Sequence, residues 1–380
     1  MDKPNSPYCT NTREINQVTM KEKLSKENLI ALLSTKGEEK QRLFERAALV
    51  KKQHVGNKVY LRGLIELSNR CQKDCYYCGI RHSNHTLHRY MLSHDETMKT
   101  VMKAYEKGYG SVTIQSGEWN SPEFIARIDR IVRETKQATN GAVGITLSCG
   151  EQCKETYRRW FESGADRYLL RVETSSEALY RKLHPNNSFH TYLQRVKALE
   201  ALGETGYQVG TGVMIGLPFQ TIEQLADDLL FMQQIDIDMC GMGPYIEHPN
   251  TPLYAHRDKL LPLEERLHLS WKMVALLRIL MNDINIAATT ALEAIDGNAR
   301  EKAIAVGANV VMPNITPSSY RPGYLLYENK PLPAANDNGE GELTSLERRL
   351  YDMDHVIAYF QQGNSARYEK RIQSMTSTRQ

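Results

Sequence analysis

The sequence predicts an α/β protein built on a (β/α)8 TIM-type barrel, with an N-terminal helical extension and a C-terminal helical tail. Three observations carry this. Strand-like and helix-like stretches alternate eight times between Val59 and Pro313, the rhythm of a parallel sheet with helical crossovers. The 380 residues, 41% of them hydrophobic, suffice for one barrel of roughly 250 residues plus extensions. The segment richest in reactive side chains follows the first predicted strand directly, and barrel chemistry sits at the C-terminal ends of strands. A doubly wound open sheet is the competing architecture for the same alternation.

Residues 1–55 read as the extension. The first 20 or so are polar and read as disordered, and one or two helices near 25–53 are expected to cap the barrel bottom. Residues 56–328 read as the barrel. Residues 59–67 form the first strand. Ser93-His94-Asp95-Glu96 is a capping box that opens a helix, and Gly108 closes it. The second strand is 111–116, and Ser121-Pro122 starts the next helix with a cap followed by proline. Strands at 142–148, 168–173 and 208–215 alternate with helices at 151–163, 176–183, 188–202 and 221–234. Strands at 239–245, 284–290 and 309–313 complete the set, with helices at 262–281 and 298–305. Residues 329–380 read as a polar linker, 336–341, then a charged surface helix over 345–361 and a disordered end.

Composition narrows the function. Lys and Arg number 48 against 45 Asp and Glu, a net charge of +3, so no basic stripe marks a nucleic-acid binder. No apolar run nears the roughly 20 residues of a membrane helix, and the N-terminus lacks a signal-peptide core. Seven cysteines, an odd number, argue against a disulfide framework and for a reducing, cytoplasmic setting.

Three of those cysteines stand in Cys71-Gln72-Lys73-Asp74-Cys75-Tyr76-Tyr77-Cys78. Soft thiolates suit iron–sulfur chemistry. Three ligands to a 4Fe–4S cluster, instead of the usual four, leave one iron open to a substrate or cofactor. Structural zinc prefers four ligands, often in paired C-x2-C units, and no second pair exists. Cys9, Cys149, Cys153 and Cys240 are scattered, and Cys149 and Cys153 read as structural.

Strand periodicity supplies further candidates. Alternation in the fourth strand places Arg167, Leu169, Arg171 and Glu173 on one face, Tyr168, Leu170 and Val172 on the other. The charged face must point into the barrel, where burial is costly unless a partner or ligand compensates. An anion-and-amine pocket and an internal Arg171–Glu173 salt bridge both answer that need. The second strand ends in Gln115-Ser116-Gly117-Glu118, and the fifth carries the glycine-rich run 210–218 around Met214. Thr289 and Thr290 end the seventh strand, and a polar loop through Tyr320 follows the eighth.

The C-x3-C-x2-C loop with Tyr77 before its last cysteine resembles the radical S-adenosylmethionine (SAM) superfamily. The resemblance narrows further over residues 59–327. Leu87-His88-Arg89-Tyr90, Gly164-Ala165-Asp166-Arg167, Gly216-Leu217-Pro218, His248-Pro249-Asn250-Thr251-Pro252-Leu253 and Ala288-Thr289-Thr290-Ala291 are similar to the HydE family, radical SAM maturases of FeFe-hydrogenase. It implies one 4Fe–4S cluster on Cys71, Cys75 and Cys78. It implies SAM contacts from Tyr77, Gln115, Ser116, Glu118, Glu173 and Met214, with Arg195 taking the place of a family arginine where Tyr192 stands. Arg167, Arg171, Thr289, Thr290 and Tyr324 would line the substrate cavity.

The implied reaction is reductive cleavage of SAM to methionine and a 5′-deoxyadenosyl radical. That radical would act on a cysteine-bound iron carbonyl–cyanide unit during assembly of the hydrogenase diiron subcluster. Implied partners are an external reductant (ferredoxin or flavodoxin) and other maturases, including a scaffold GTPase. Some members carry a second cluster on cysteines after the eighth strand; no cysteine follows Cys240 here, so none is expected. A methylornithine synthase-like mutase and a non-catalytic 4Fe–4S scaffold are the competing functions.

Overall fold

The computed structural model describes residues 24–328, 330 and 340–377. The disorder expected for the first 20 residues, and most of the expected linker, lie outside the described residues, as does Cys9.

Eight parallel strands close into a barrel. They are β1 (Lys58–Ser68), β2 (Ser111–Ser116), β3 (Gly144–Ser148), β4 (Arg167–Leu169), β5 (Gln208–Thr211), β7 (Met239–Cys240), β9 (Asn285–Ala288) and β10 (Val310–Val311). Each pairs with the next, and β10 returns to β1 through Tyr60↔Val310 and Leu61↔Val311. That closure excludes the open sheet. A second small pair, β6 (Met214–Ile215) with β8 (Gly243–Pro244), extends β5 and β7 beyond a break. At the break a Cβ on Gly212 would overlap the Gly241 carbonyl, so the two segments touch backbone to backbone there.

The expected helices form the outer layer: α3 (His94–Glu106), α4 (Pro122–Ala138), α5 (Lys154–Glu162), α6 (Glu177–Leu183), α7 (Tyr192–Thr205), α8 (Ile222–Gln234), α9 (Leu263–Leu280) and, after an unexpected single turn α10 (Thr290–Glu293), α11 (Ala299–Val306). The seventh strand, expected to run through Thr290, ends at Ala288 because Thr289 stands at the N-cap of that turn. Ser93 and Glu96 make the capping box at α3, and Ser121 caps α4 by accepting from Phe124 N. Between layers the core is apolar. Tyr168 points outward onto Tyr157 and Trp160 of α5, and its hydroxyl donates to Gly150 O at 2.8 Å.

Strand β4 is shorter than its alternation predicts, and β5 shows why. The Thr211 side chain donates to Leu170 O at 2.8 Å and accepts from Val172 N at 3.1 Å. A hydroxyl thus replaces the ladder, and the chain rejoins its neighbour only at the Glu173↔Val213 bridge. Glu173 sits there at φ 67°, a strained setting for a non-glycine residue.

Two expectations about the ends need correction. Helices α1 (Lys26–Ser34) and α2 (Gly37–His54) form where expected, but α1 packs on α8 and α2 on α9 and α11. They thicken the outer layer and leave the barrel floor to another segment. Nor is the tail one surface helix. Helix α12 (Glu340–Tyr351) ends early, β11 (Val356–Ile357) pairs parallel with β1, and α13 (Ala366–Ser377) follows. Between β11 and α13, residues 361–365 plug the barrel floor.

Inward polar side chains hold that plug. Arg62 Nη2 donates to Gly363 O at 3.1 Å, and Asn285 Nδ2 donates to the same oxygen at 2.9 Å. Arg167 donates to Gln362 O at 2.9 Å and Asn364 Oδ1 at 2.5 Å, and Gln208 Nε2 shares that Asn364 oxygen at 2.9 Å. Buried polar groups need partners, and the tail supplies them in backbone carbonyls that no sequence period announces.

Candidate active site

Strand β1 delivers the cysteine loop to the top of the barrel. Cys71, Cys75 and Cys78 line one cavity of about 250 Å³. Tyr77, Gln115, Ser116, Glu118, Arg171, Glu173, Arg195, Met214, Thr289 and Tyr324, all singled out from sequence, line it too. The parallel ladder explains the convergence, because it brings the strand ends carrying these residues to one rim.

Two sequence candidates stand elsewhere. Arg167 is fully buried on the floor, in register with Thr146 and Gln208, and bonds the C-terminal plug. It shares a face with Arg171, but four residues of extended chain, roughly 13 Å, separate floor from mouth. Thr290 is absent from the wall and meets it indirectly, its hydroxyl 3.1 Å from the hydroxyl of Tyr327, which does line the cavity.

Gly117 lets the cysteine loop settle onto β2. A Cβ there would lie 2.9 Å from Cys71 Cβ and closer still to the Arg70 carbonyl. Burial pushes all three thiols up, Cys75 to about 12, so protonated thiols are favoured until a cationic centre binds them. Among the described residues no three His, Cys, Asp or Glu side chains converge on a single-ion position. Three thiols gathered on one cavity wall fit a cubane, whose ligands bind different irons.

Lys73, Glu118 and Arg195 line the cavity, and Glu151 behind them completes a charged network. Lys73 Nζ lies 2.9 Å from Glu151 and 3.3 Å from Glu118. Arg195 Nε lies 2.5 Å from Glu151 Oε1, and its Nη1 donates to Arg171 O at 2.9 Å. Burial raises the Glu118 carboxyl against the pull of Lys73 and Arg195. At Glu151 burial acts the same way, but Arg195 and Lys73 outweigh it and hold the carboxyl low. Arg195, expected to grip a SAM carboxylate, is therefore already paired, and such a ligand would compete with Glu151. Lys73 and Glu151 escaped sequence reading because one looked like a spacer between cysteines and the other like the first residue of the helix after β3. Tyr327 carried no signal.

Beside this network Arg171 Nη2 donates to Val213 O at 3.0 Å and lies 2.9 Å from Glu173 Oε2. That pair lacks hydrogen-bond alignment, so Glu173 Oε2 and Arg171 Nε are buried without a bonded partner. The salt bridge weighed from sequence thus exists, between two residues that line the cavity. Burial raises the Glu173 carboxyl even against Arg171 and Arg195. Met214 sits in an apolar patch with Leu179, Leu217, Tyr245 and Tyr77. Unpaired polar atoms beside apolar surface are what an amphipathic nucleoside-like ligand requires.

A closed parallel barrel with a three-cysteine loop opening into such a cavity defines a radical SAM enzyme, and the sequence profile of the radical SAM superfamily matches residues 65–232. The FeFe-hydrogenase maturase subunit HydE of Thermotoga maritima is 45% identical over 290 residues, which cover 76% of this chain and 79% of that protein. The chain belongs to the HydE family. A 3-methylornithine synthase of Methanosarcina acetivorans is 29% identical over 80% of this chain and 83% of its own. The crystal structure of a methylornithine synthase superposes with a TM-score of 0.75 at 26% identity, covering 90% of this chain and 96% of that one. The cofactors of this enzyme are a 4Fe–4S cluster and SAM, as throughout the family. No described helix is long and apolar enough to cross a membrane.

Proposed function

We propose that this enzyme acts in maturation of FeFe-hydrogenase, on a cysteine-bound iron carbonyl–cyanide intermediate of diiron subcluster assembly. The carrying observation is the 45% identity to a HydE maturase over most of both chains, against 29% for the methylornithine synthase. Cys71, Cys75 and Cys78 hold the cluster. When bound, cluster and SAM supply reductive cleavage to methionine and a 5′-deoxyadenosyl radical.

The chain's own residues bind, orient and exclude water. Glu173, Gln115 and Ser116 offer polar contacts to SAM, Met214 and Tyr77 an apolar surface, and Glu118 with Arg195 a charged one. Arg171 and Thr289 face the substrate, Arg171 as an anion donor and Thr289 as a hydroxyl, with Tyr324 closing the wall. Electrons come from a ferredoxin or flavodoxin, and the product passes to other maturases, a scaffold GTPase among them, in the cytoplasm.

Anaerobic reconstitution with iron and sulfide, followed by reduction with SAM, tests this reading. The expected result is a 4Fe–4S EPR signal that changes with SAM and is lost in Cys75→Ala while the fold persists. 5′-Deoxyadenosine release should be stimulated by the iron carbonyl–cyanide cysteine complex and not by lysine. Stimulation by lysine would make the enzyme a mutase. A cluster indifferent to SAM would make it a scaffold.

A further inference from the structure

The loop from Asn69 to Ser93 contains all three cluster cysteines and no helix or strand, so its backbone polar groups are met by turns, by neighbouring loops and by side chains instead of by a ladder. Its two ends are pinned together. Asn69 Oδ1 accepts from Tyr90 N at 2.8 Å, Asn69 Nδ2 donates to His88 O at 2.9 Å, and Ser68 Oγ donates to Tyr90 O at 2.7 Å.

One side chain gathers the middle. The Arg89 guanidinium donates to five backbone carbonyls. Nη1 reaches Asn69 at 2.6 Å and Ile80 at 2.8 Å, while Nη2 reaches Arg81 at 2.6 Å, His82 at 3.2 Å and Asn84 at 3.0 Å. Asn69 lies two residues before Cys71, and Ile80 two residues after Cys78. A single planar group therefore ties the entry of the cysteine segment to its exit. None of the five acceptors carries a charge. Burial pulls the guanidinium below its usual value, and the Cys71 and Cys78 thiolates act in the opposite sense.

We propose that Arg89 is the positioning residue of the cluster loop: it sets the loop's span through five carbonyls and places its positive charge on the Asn69 and Ile80 carbonyls, two residues outside Cys71 and Cys78. The inference rests on the cluster assignment above. It has two separable consequences. The fork of donors orders the loop whether or not a cluster is bound. The charge stabilises the reduced cluster, which carries one more negative charge than the oxidised form.

Lysine keeps the charge but offers three donors from one point instead of a rigid fork. Glutamine keeps polarity and loses the charge. Two readouts on the full chain separate them, amide hydrogen exchange over residues 69–90 before reconstitution and a potentiometric EPR titration after it. Arg89→Lys is expected to exchange at least ten-fold faster over 79–84 while keeping a wild-type reduction potential. Arg89→Gln is expected to exchange as fast and to shift the potential negative, leaving a several-fold smaller reduced fraction at a fixed ambient potential.

Unchanged exchange in Arg89→Gln overturns the structural role, and an unchanged potential overturns the electrostatic one. Should Arg89→Gln take up no iron, loop exchange in the cluster-free chain still decides, since wild-type protection there overturns the proposal. Failure of the cluster assignment looks different, because the wild-type chain would then take up no iron.

Discussion

Substituting Gly117 tests how tightly the cluster loop is seated. In Gly117→Ala the new methyl would stand 2.9 Å from Cys71 Cβ, with the Arg70 carbonyl nearer still. Carbon atoms rest at about 3.5–4.0 Å, so the loop must retreat by roughly 0.6–1 Å from β2. The obstacles are backbone and the first atom of a ligand side chain, neither of which can rotate away. Overpacking of this kind costs about 1–3 kcal/mol, which is roughly a five- to 150-fold fall in the properly seated loop. The assay is iron and sulfide bound per chain after anaerobic reconstitution, read beside the thermal midpoint. Expected is a cluster occupancy at least five-fold below wild type at limiting iron, with the barrel still folded. Gly203→Ala is the control, because its Cβ in α7 would meet only Val209 at 3.9 Å. It should bind iron normally and gain a little helix stability. Full occupancy and an unaltered EPR signal in Gly117→Ala would refute the close seating.

The other predictions follow from the cavity, the core and the floor. Thr289→Val is expected to lower substrate turnover several-fold, on the order of 1 kcal/mol for one hydrogen bond, while substrate-free SAM cleavage stays near wild type. Thr290→Val, which reaches the cavity only through Tyr327, should cost less, and a ranking in the reverse order would move the substrate away from Thr289. Asp228 in α8 accepts from Ser175 N and Oγ, both at 2.6 Å, and burial pushes its carboxyl up to about 6. The folded chain then holds that proton more tightly than the unfolded one (about 3.9), so this group's contribution to stability falls as pH rises from about 4 to about 6. Asp228→Asn should therefore raise the unfolding free energy above pH 6, by up to something on the order of 3 kcal/mol, with the gain fading towards pH 4; a difference that does not vary with pH would contradict it. On the floor, Asn364→Ala removes an acceptor shared by Arg167 and Gln208 and is expected to cost about 1–3 kcal/mol in denaturant unfolding. 5′-Deoxyadenosine release should persist, and its complete loss would show that floor and mouth are coupled.

What was readable in the chain follows a physical division. Motifs within one element read correctly, because their determinants are local. The capping box at Ser93, the proline after Ser121 and the inward–outward alternation of Arg167, Tyr168, Leu169 and Leu170 depend on neighbours a few residues away. The cysteine loop was legible for the same reason, its spacing being set within eight residues. Strand ends were misread where a distant group intervened. Thr211 supplies the hydroxyl that interrupts β4, and the Gly241 backbone lies against Gly212 where β5 ends. Arg167 was placed on the correct face but at the wrong height, since alternation fixes direction and says nothing of depth.

The sequence by itself determined the fold class, the cluster loop and the face on which each strand residue lies, all of which follow from composition, spacing and period. Only the tertiary structure decided which charges meet. It paired Lys73 and Arg195 with Glu118 and Glu151 across the loops after β1, β2 and β3 and helix α7. It also brought residues 361–365 under the barrel to satisfy Arg62 and Arg167, and folded the loop from Asn69 to Asn84 around Arg89. Those partners lie up to 301 residues apart in the chain, and burial selects them. A buried cation must find its acceptors wherever the closed barrel places them.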